Sequence, residues 1–314
     1  MNPTKYDFKF AFFGTSHIAV FVLDELKKVG LIPSLIVTPP DKARGRGLAL
    51  QPSPVKVWAQ KQGVDILQPE KIHSDVLENI RTLRADVAVV VDYGKILPKA
   101  LLDIPRRGFL NVHPSLLPRL RGPSPIRSAI LNDEKETGVS IILVDEEMDH
   151  GPIIAQKRVP IPNWFNSPKQ GEGGPPHLVE FEAALMQEGG RLLAHILPQW
   201  VKGEVDAHEQ NHDVATYSEK IGKEDGLLDL EDDAYKNLLK IRAYEGWPGT
   251  YAFFERPSTR SGQEAKRIRV GILDAHIDPS TPPGARKLVI DRVKPEGKRE
   301  MGYEEFLRSG AKPV

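Results

Sequence analysis

The densest run of chemically capable side chains in the sequence is Asn111-Val112-His113-Pro114-Ser115-Leu116-Leu117-Pro118-Arg119-Leu120-Arg121-Gly122. In an extended chain residues two apart point to the same side, so Asn111 and His113 project together. An amide donates a hydrogen bond without carrying charge, which suits a developing oxyanion, and an imidazole titrates near neutral pH. Asp149, in Glu147-Met148-Asp149-His150-Gly151, follows a different apolar run. It can reach the same cleft if the two runs are strands of one sheet. A carboxylate beside an imidazole favours its protonated form and fixes its orientation. Asn, His and Asp with no Ser or Cys nucleophile point to group transfer onto an external nucleophile through a tetrahedral intermediate. Spacing alone leaves a second reading open, in which His113 is a strand-end histidine bonded to backbone and Asn111 forms a turn. The trio contains one strong transition-metal ligand, which argues against a metal site.

Such a trio needs elements to hold it. At 314 residues the chain is about twice a typical domain, so two domains are expected. Hydrophobic residues make up 40% and charged residues 27%, a globular composition. The absence of cysteine excludes a disulfide framework, a thiolate metal site and a cysteine nucleophile, and fits a reducing cytosol. Basic and acidic residues both total 43, yet Arg256–Val314 carries 13 basic against 8 acidic residues, a local excess of +5. That excess hints at a phosphate-bearing or nucleic-acid partner. Met1–Asp7 is polar, Phe8–Phe13 is too short for a signal segment, and no window approaches eighteen apolar residues. A soluble, cytoplasmic protein without a membrane partner is expected.

Short apolar runs alternate with amphipathic ones. Phe8–Phe13, Leu35–Val37, Asp86–Val91, Gly108–Val112 and Ser140–Val144 read as strands. Ile18–Val29, Val55–Gln62, Ser74–Leu83 (with Ser74 as N-cap) and Leu178–Trp200 read as helices. This alternation predicts an α/β fold, a doubly wound, mainly parallel sheet. Ligands in such sheets bind beyond the carboxyl ends of the strands, where Gly14-Thr15, Asn111–Ser115 and Asp145–Asp149 fall. Trp164–Pro176 reads as an irregular loop and Gly203–His212 as a polar linker. A helix at Tyr235–Tyr244 and short strands at Thr250–Phe254, Ile268–Leu273 and Leu288–Val293 predict a smaller β-barrel-like second domain.

The run Asn111–Gly122, with its His113-x-Ser115-Leu116-Leu117-Pro118 core, resembles the signature of the folate-dependent formyltransferases. The resemblance implies a Rossmann-like catalytic domain, expected over residues 1–205, and an OB-like C-terminal domain over 206–314. It also implies 10-formyltetrahydrofolate as co-substrate, with no metal. Asn111, His113 and Asp149 match the three residues that surround the formyl group in that family. Ser115, Leu116, Leu117 and Pro118 are expected to line the folate pocket. Val91 and the stretch Tyr93-Gly94-Lys95-Ile96-Leu97-Pro98, with Tyr93, Gly94 and Ile96 as contacts, resemble its wall and floor.

Folate carries the formyl group throughout that family, so the motif leaves the acceptor open. Thr38-Pro39-Pro40-Asp41-Lys42-Ala43-Arg44-Gly45-Arg46-Gly47, followed by Pro52-Ser53-Pro54-Val55-Lys56, is a Gly/Pro-rich loop bearing Lys42, Arg44, Arg46 and Lys56. Guanidinium groups bind phosphates and base edges, and glycines permit close backbone approach. The pattern resembles the loop by which the branch acting on methionyl-initiator tRNA meets the acceptor stem. Tyr217–Ile221, Lys223–Gly226, Ile241–Tyr244, Trp247–Tyr251 and Pro295–Arg299 resemble the tRNA-binding C-terminal domain of that branch. The resemblance thus implies formyl transfer to methionyl-initiator tRNA by a monomer. An acceptor that is an amino sugar or nucleotide, hydrolysis of formyl-folate, and a non-catalytic RNA-binding role are the alternatives. Ser16-His17-Ile18 departs from the family's usual pattern in the methionyl pocket. His17 and His150 are read as lining residues.

Overall fold

The computed structural model describes residues 6–44, 49–161, 175–257, 265–282 and 285–314. Two compact units divide the chain: residues 1–122, 137–159 and 182–217 form one, and residues 123–136, 160–181 and 218–314 the other.

The first unit is built on a seven-stranded sheet. Its amino-terminal part runs through β1 (Phe10–Gly14), α1 (His17–Lys28), β2 (Leu35–Val37), β3 (Lys42–Arg44), β4 (Ala49–Gln51), α2 (Pro54–Gln62) and β5 (Asp65–Leu67). Then follow α3 (Ser74–Leu83), β6 (Val87–Val91), α4 (Lys99–Leu102) and β7 (Phe109–His113). After α5 (Pro125–Leu131) of the second unit the chain returns as β8 (Glu136–Leu143) and β9 (Ile153–Pro160), and α6 (Leu178–Lys202) is followed by the polar segment 203–217. The sheet order is β5-β2-β1-β6-β7-β8-β9, parallel from β5 to β7 and antiparallel between β7 and β8. Every side chain of β1 and all but one of β6 are buried, as in a sheet covered on both faces. The chain builds outward from β1 through β2 to β5, then returns to lay β6 on the other side of β1. The switch point therefore lies where Gly14 of β1 pairs with Val91 of β6.

Local chemistry explains the helices. Ser53 accepts a hydrogen bond from the Lys56 amide, Pro54 takes the first turn, and Gly63 closes α2 in a left-handed conformation at φ 67°. In α3 the expected cap is displaced by one residue. Ser74 is the first helical residue, and His73 stands at the N-cap without a side-chain bond. Two short strands that composition does not predict flank the basic Gly/Pro-rich stretch: β3 and β4 pair antiparallel, Lys42 opposite Gln51 and Arg44 opposite Ala49.

Tyr93 illustrates how a wall residue can belong to the core. Its ring is buried edge-on against Phe13 at 5.4 Å and packs with Ile80, Leu101 and Phe109. Burial pushes its phenol up to about 12. Among the described residues the hydroxyl has no hydrogen-bond partner. A buried donor left unsatisfied costs about 1–3 kcal/mol. Tyr93→Phe is therefore expected to raise stability by roughly 1 kcal/mol, as read by thermal unfolding; a lower melting temperature would contradict the assignment of an orphaned hydroxyl.

The second unit contains α5, α7 (Ala234–Ala243), β10 (Thr250–Arg256), β11 (Lys266–Ile277), β12 (Leu288–Pro295), β13 (Met301–Gly302), α8 (Tyr303–Leu307) and β14 (Lys312–Pro313). Its strands form one antiparallel sheet of order β13-β12-β11-β10-β14. Alternate residues Ala252, Phe254, Val270, Ile272 and Val293 face a core shared with Leu238 and Ile241 of α7 and Phe306 of α8. Asp233 caps α7 by accepting from the Tyr235 and Lys236 amides. Among the described residues no helix is long and apolar enough to cross a membrane.

Candidate active site

Strand alternation puts Asn111 and His113 on one face at the carboxyl end of β7. Asp149 reaches them from the connection between β8 and β9. The Asn111 Nδ2 donates to Asp149 Oδ1 at 3.2 Å, and the His113 Nδ1 lies 3.4 Å from the same oxygen. The other carboxylate oxygen accepts from the Gly122 amide at 2.8 Å. The three residues expected from sequence to converge therefore do so, all within the first unit. Among the described residues no three His, Cys, Asp or Glu side chains gather into a group that could hold a metal ion.

Each member is held by more than its neighbour in the trio. His113 is 4% exposed, and its Nε2 lies 3.0 Å from the Leu120 carbonyl. A carbonyl can only accept, so Nε2 carries a proton and Nδ1 is the ring atom turned to the cleft. Burial pushes the Asp149 carboxyl up, but the hydrogen bond and charge of His113, the Gly122 amide and the Arg121 guanidinium outweigh it. They hold the group below the ordinary aspartate range. Asp149 sits in the left-handed region at φ 52°, as does Leu120 at φ 56°. Non-glycine residues adopt that region rarely and need surrounding contacts to keep them there. Gly151 helps: a Cβ there would collide with the Leu143 carbonyl, so glycine is what lets the Asp149 loop close onto β8.

The segment from His113 to Gly122 is pinned from two sides. The Ser115 hydroxyl, fully buried, donates to the Arg119 carbonyl at 2.6 Å. Ser140 of β8 accepts from the Leu117 amide and donates to the Ser115 carbonyl, and Gln156 of β9 donates to the Leu117 carbonyl. Leu117 is buried, whereas Leu116 and Pro118 are half-buried. From the other side, Thr216 Oγ1 accepts from the Leu120 amide, and the Thr216 carbonyl accepts from the Arg121 amide.

The remaining sequence candidates separate. Val91 is buried at the end of β6, beside Gly14. Gly94 follows at φ 71° with open space where a side chain would be. The Lys95 ammonium ties this turn down through the Pro69 and Glu70 carbonyls, and Ile96 is left 91% exposed. The Tyr93 ring points into the core, while its carbonyl accepts from Thr15 Oγ1 at 3.1 Å. Lys42 is exposed on β3. Lys56 instead forms an ion pair with both oxygens of Asp41, at 2.9 and 2.8 Å. Arg46 and most of the 166–176 loop lie outside the described residues, as does the side chain of Arg44. His17 faces Glu182 at 3.4 Å, and His150 pairs with Asp145 and stacks on His212 with ring centres 4.1 Å apart.

Sequence reading missed the contribution of residues 203–217. The expected polar linker is bound into the first unit, where His208 bridges to Ile153 and Gln210 is only 5% exposed. Most of the segment is exposed, His212 and Thr216 included, which is why it is polar, and its one buried polar side chain is Gln210; a single buried Gln within a hydrophilic run gives no periodic signal. The second unit adds one more missed feature, on the face of its sheet opposite the core. Arg269 lies over the Tyr251 ring at 3.7 Å and Arg267 over Phe253 at 4.2 Å. A concavity of about 280 Å³ beside them is lined by Tyr251, Arg269, Gly271 and Lys294 among others.

Residues 8–168 match the family described as formyl transferase. The chain is 37% identical over 306 residues to the methionyl-tRNA formyltransferase of Chloroflexus aggregans, covering 94% of this chain and 95% of that protein. It is likewise 37% identical over 308 residues to the enzyme of that name from Thermus thermophilus, covering 95% of each. Among solved structures, an N-formyltransferase from Helicobacter canadensis in complex with folinic acid and dTDP-3-aminofucose superposes with a TM-score of 0.59 at 18% identity, covering 86% of this chain and 88% of that one. A methionyl-tRNA formyltransferase from Clostridium thermocellum gives 0.55 at 14% identity, covering 92% and 98%. At those identities the two structures speak for the fold.

Proposed function

The chain belongs to the formyl transferase family, and from that premise we infer that it transfers the formyl group of 10-formyltetrahydrofolate to the α-amino group of methionyl-initiator tRNA. The observation that carries this reading is the convergence of Asn111, His113 and Asp149 around one point at the end of β7. The donor set suits a carbonyl oxygen. Asn111 Nδ2 has a second hydrogen beyond the one given to Asp149, and a doubly protonated His113 ring, whose Nδ1 lies a long 3.4 Å from Asp149, can share its one Nδ1 hydrogen with the same space, so both can donate to a formyl oxygen as charge develops there. Asp149, held ionised, accepts the proton that the attacking amine must shed and keeps the His113 ring oriented. The amine nitrogen bonds to the formyl carbon, the bond from that carbon to folate nitrogen breaks, and the shed proton is the one the leaving nitrogen needs.

Ile96, exposed at the rim of the turn that Lys95 fastens, fits an apolar contact for the co-substrate, with Gly94 leaving room beside it. Ser115–Pro118 would line the same pocket and Val91 its floor. For the tRNA we assign Lys42, Arg44 and Arg46 of the basic segment 38–47. Lys56 supports that segment through Asp41 and sits close enough to join a phosphate contact only by leaving that pair. The cation-bearing aromatic face of the second unit supports a tRNA-binding role for its C-terminal sheet, since stacked aromatics with arginines are how sheet surfaces hold nucleic acid. The protein would work as a cytoplasmic monomer, with the first unit carrying the chemistry.

The test is formyl-folate turnover with charged initiator tRNA, charged elongator tRNA, amino sugars and no acceptor. Formylmethionyl-tRNA formed from the initiator species alone is expected; formate released equally without acceptor would make it a hydrolase. Neutralising Arg44 and Arg46 together is expected to raise the KM for tRNA about tenfold near physiological salt and to flatten its salt dependence, because each phosphate contact removed takes its counterion release with it. An unchanged KM across a salt titration would remove the basic segment from the interface.

A further inference from the structure

We propose that Gln210 is a positioning residue for formyl transfer, acting on Asp149 from both its backbone and its side-chain ends. This inference rests on the reading of Asn111, His113 and Asp149 as the reacting site. The Gln210 Nε2 donates to the Asp149 carbonyl and to the Gly151 carbonyl, each at 2.8 Å. Its Oε1 accepts from Arg121 Nε at 3.2 Å and from Nη2 at 2.8 Å. An amide offers two donors and two acceptor sites, and here all four are used. The next residue after Arg121 is Gly122, whose amide holds the Asp149 carboxylate at 2.8 Å. A closed circuit results, from the Asp149 carbonyl through Gln210 and Arg121 to the Gly122 amide and back to the Asp149 carboxylate.

The circuit has a physical task. Asp149 is a non-glycine residue at φ 52°, a conformation that side-chain-bearing residues adopt rarely and that relaxes unless it is held. Two donors on the carbonyls of residues 149 and 151 fix the backbone on both sides of the turn. Arg121 is 2% exposed, so its charge lies in a poorly screened setting beside the carboxylate. It is oriented by Gln210 and by His212, whose Nδ1 accepts from Nη2 at 2.8 Å. Gln210 itself is anchored by the paired backbone bonds of His208 with Ile153, both 2.8 Å. A residue whose only job was to fasten the chain segment would not need both amide ends directed at the backbone and the cation that shape one carboxylate.

Two near-isosteric variants separate the roles. Gln210→Met keeps the volume and removes all four bonds. Gln210→Glu keeps the acceptors for Arg121 but cannot donate to the two carbonyls. Both are expected to lower kcat by about ten- to a hundredfold, the size of effect that misplacing a reacting group produces. KM for formyl-folate and for tRNA should stay within about twofold, since neither substrate touches Gln210 in this reading. The acidic limb of the kcat profile should also move to higher pH, as Asp149 loses its ordered partners, the Gly122 amide and Arg121. A melting temperature that falls while kcat and the pH profile stay at wild-type values would overturn the proposal, and so would full activity in Gln210→Glu, the variant retained if Gln210→Met does not fold. His113→Ala and Asp149→Asn are run alongside. If these lose turnover and the Gln210 variants do not, the positioning role alone fails; if these keep turnover, the site reading fails and this inference with it.

Discussion

His113→Ala is expected to lower the rate of formyl transfer by about three orders of magnitude while the chain stays folded. Removing one oxyanion donor from a preorganised site costs on the order of 10²–10³ in kcat, and His113 does more than donate. Its ring is buried, with Nε2 fixed on the Leu120 carbonyl and Nδ1 turned to Asp149. Alanine therefore removes a donor, a charge partner and the filler between the two. The interactions it abolishes form with the reacting carbonyl rather than with the rest of either substrate, so KM for formyl-folate and tRNA should change little. Single-turnover formation of formylmethionyl-tRNA measures the chemical step directly, and circular dichroism checks the fold. A His113→Ala enzyme within about tenfold of wild type would take His113 out of the chemistry.

The parts of this site that were legible in the sequence are those whose signal is local. Alternation makes Asn111 and His113 share a face in any strand, and the nearly all-branched run Val87–Val91 can be little other than a buried strand. The strands Leu35–Val37 and Thr250–Arg256 and the helices at 17–28, 54–62 and 234–243 follow the same logic. Long-range pairing has no such signature. That β8 runs antiparallel to β7, and that Asp149 returns to Asn111 from its far end, is decided by tertiary register. Unlike the all-apolar Leu35–Val37, the three-residue strands β3, β4 and β5 mix apolar with charged or polar residues and are too short to show a period. Gln210 was hidden for the opposite reason. A polar residue satisfied by buried backbone looks in sequence like a polar residue satisfied by water. Tyr93 shows that a motif can fix a position without fixing a direction: its carbonyl receives Thr15 while its ring belongs to the core.

Asp149→Asn should come next in severity, with kcat reduced by roughly 10²–10⁴ although the side chain keeps its shape. The carboxylate is asked only to accept: Oδ1 from Asn111, with His113 Nδ1 facing it, and Oδ2 from the Gly122 amide. An amide has one accepting atom and one donating atom. Whichever way the substituted side chain turns, its NH₂ opposes either the Gly122 amide or the Asn111 and His113 donors, and the charge that favours a protonated ring is gone. A wrongly polarised partner of this kind lowers a related imidazole–carboxylate site by about 10⁴. The variant also separates structure from chemistry through pH. Because the folded protein holds the Asp149 carboxyl below its ordinary range, that group's contribution to stability is complete above the unfolded-state value. It is lost as pH falls through the lowered folded-state value. Wild-type protein should accordingly lose stability on acidification more steeply than Asp149→Asn, so that the two unfolding midpoints draw together at low pH. Parallel curves across the acid range would mean that the carboxylate is not stabilised in the folded site, and the proton-accepting role assigned to it would go with that stabilisation.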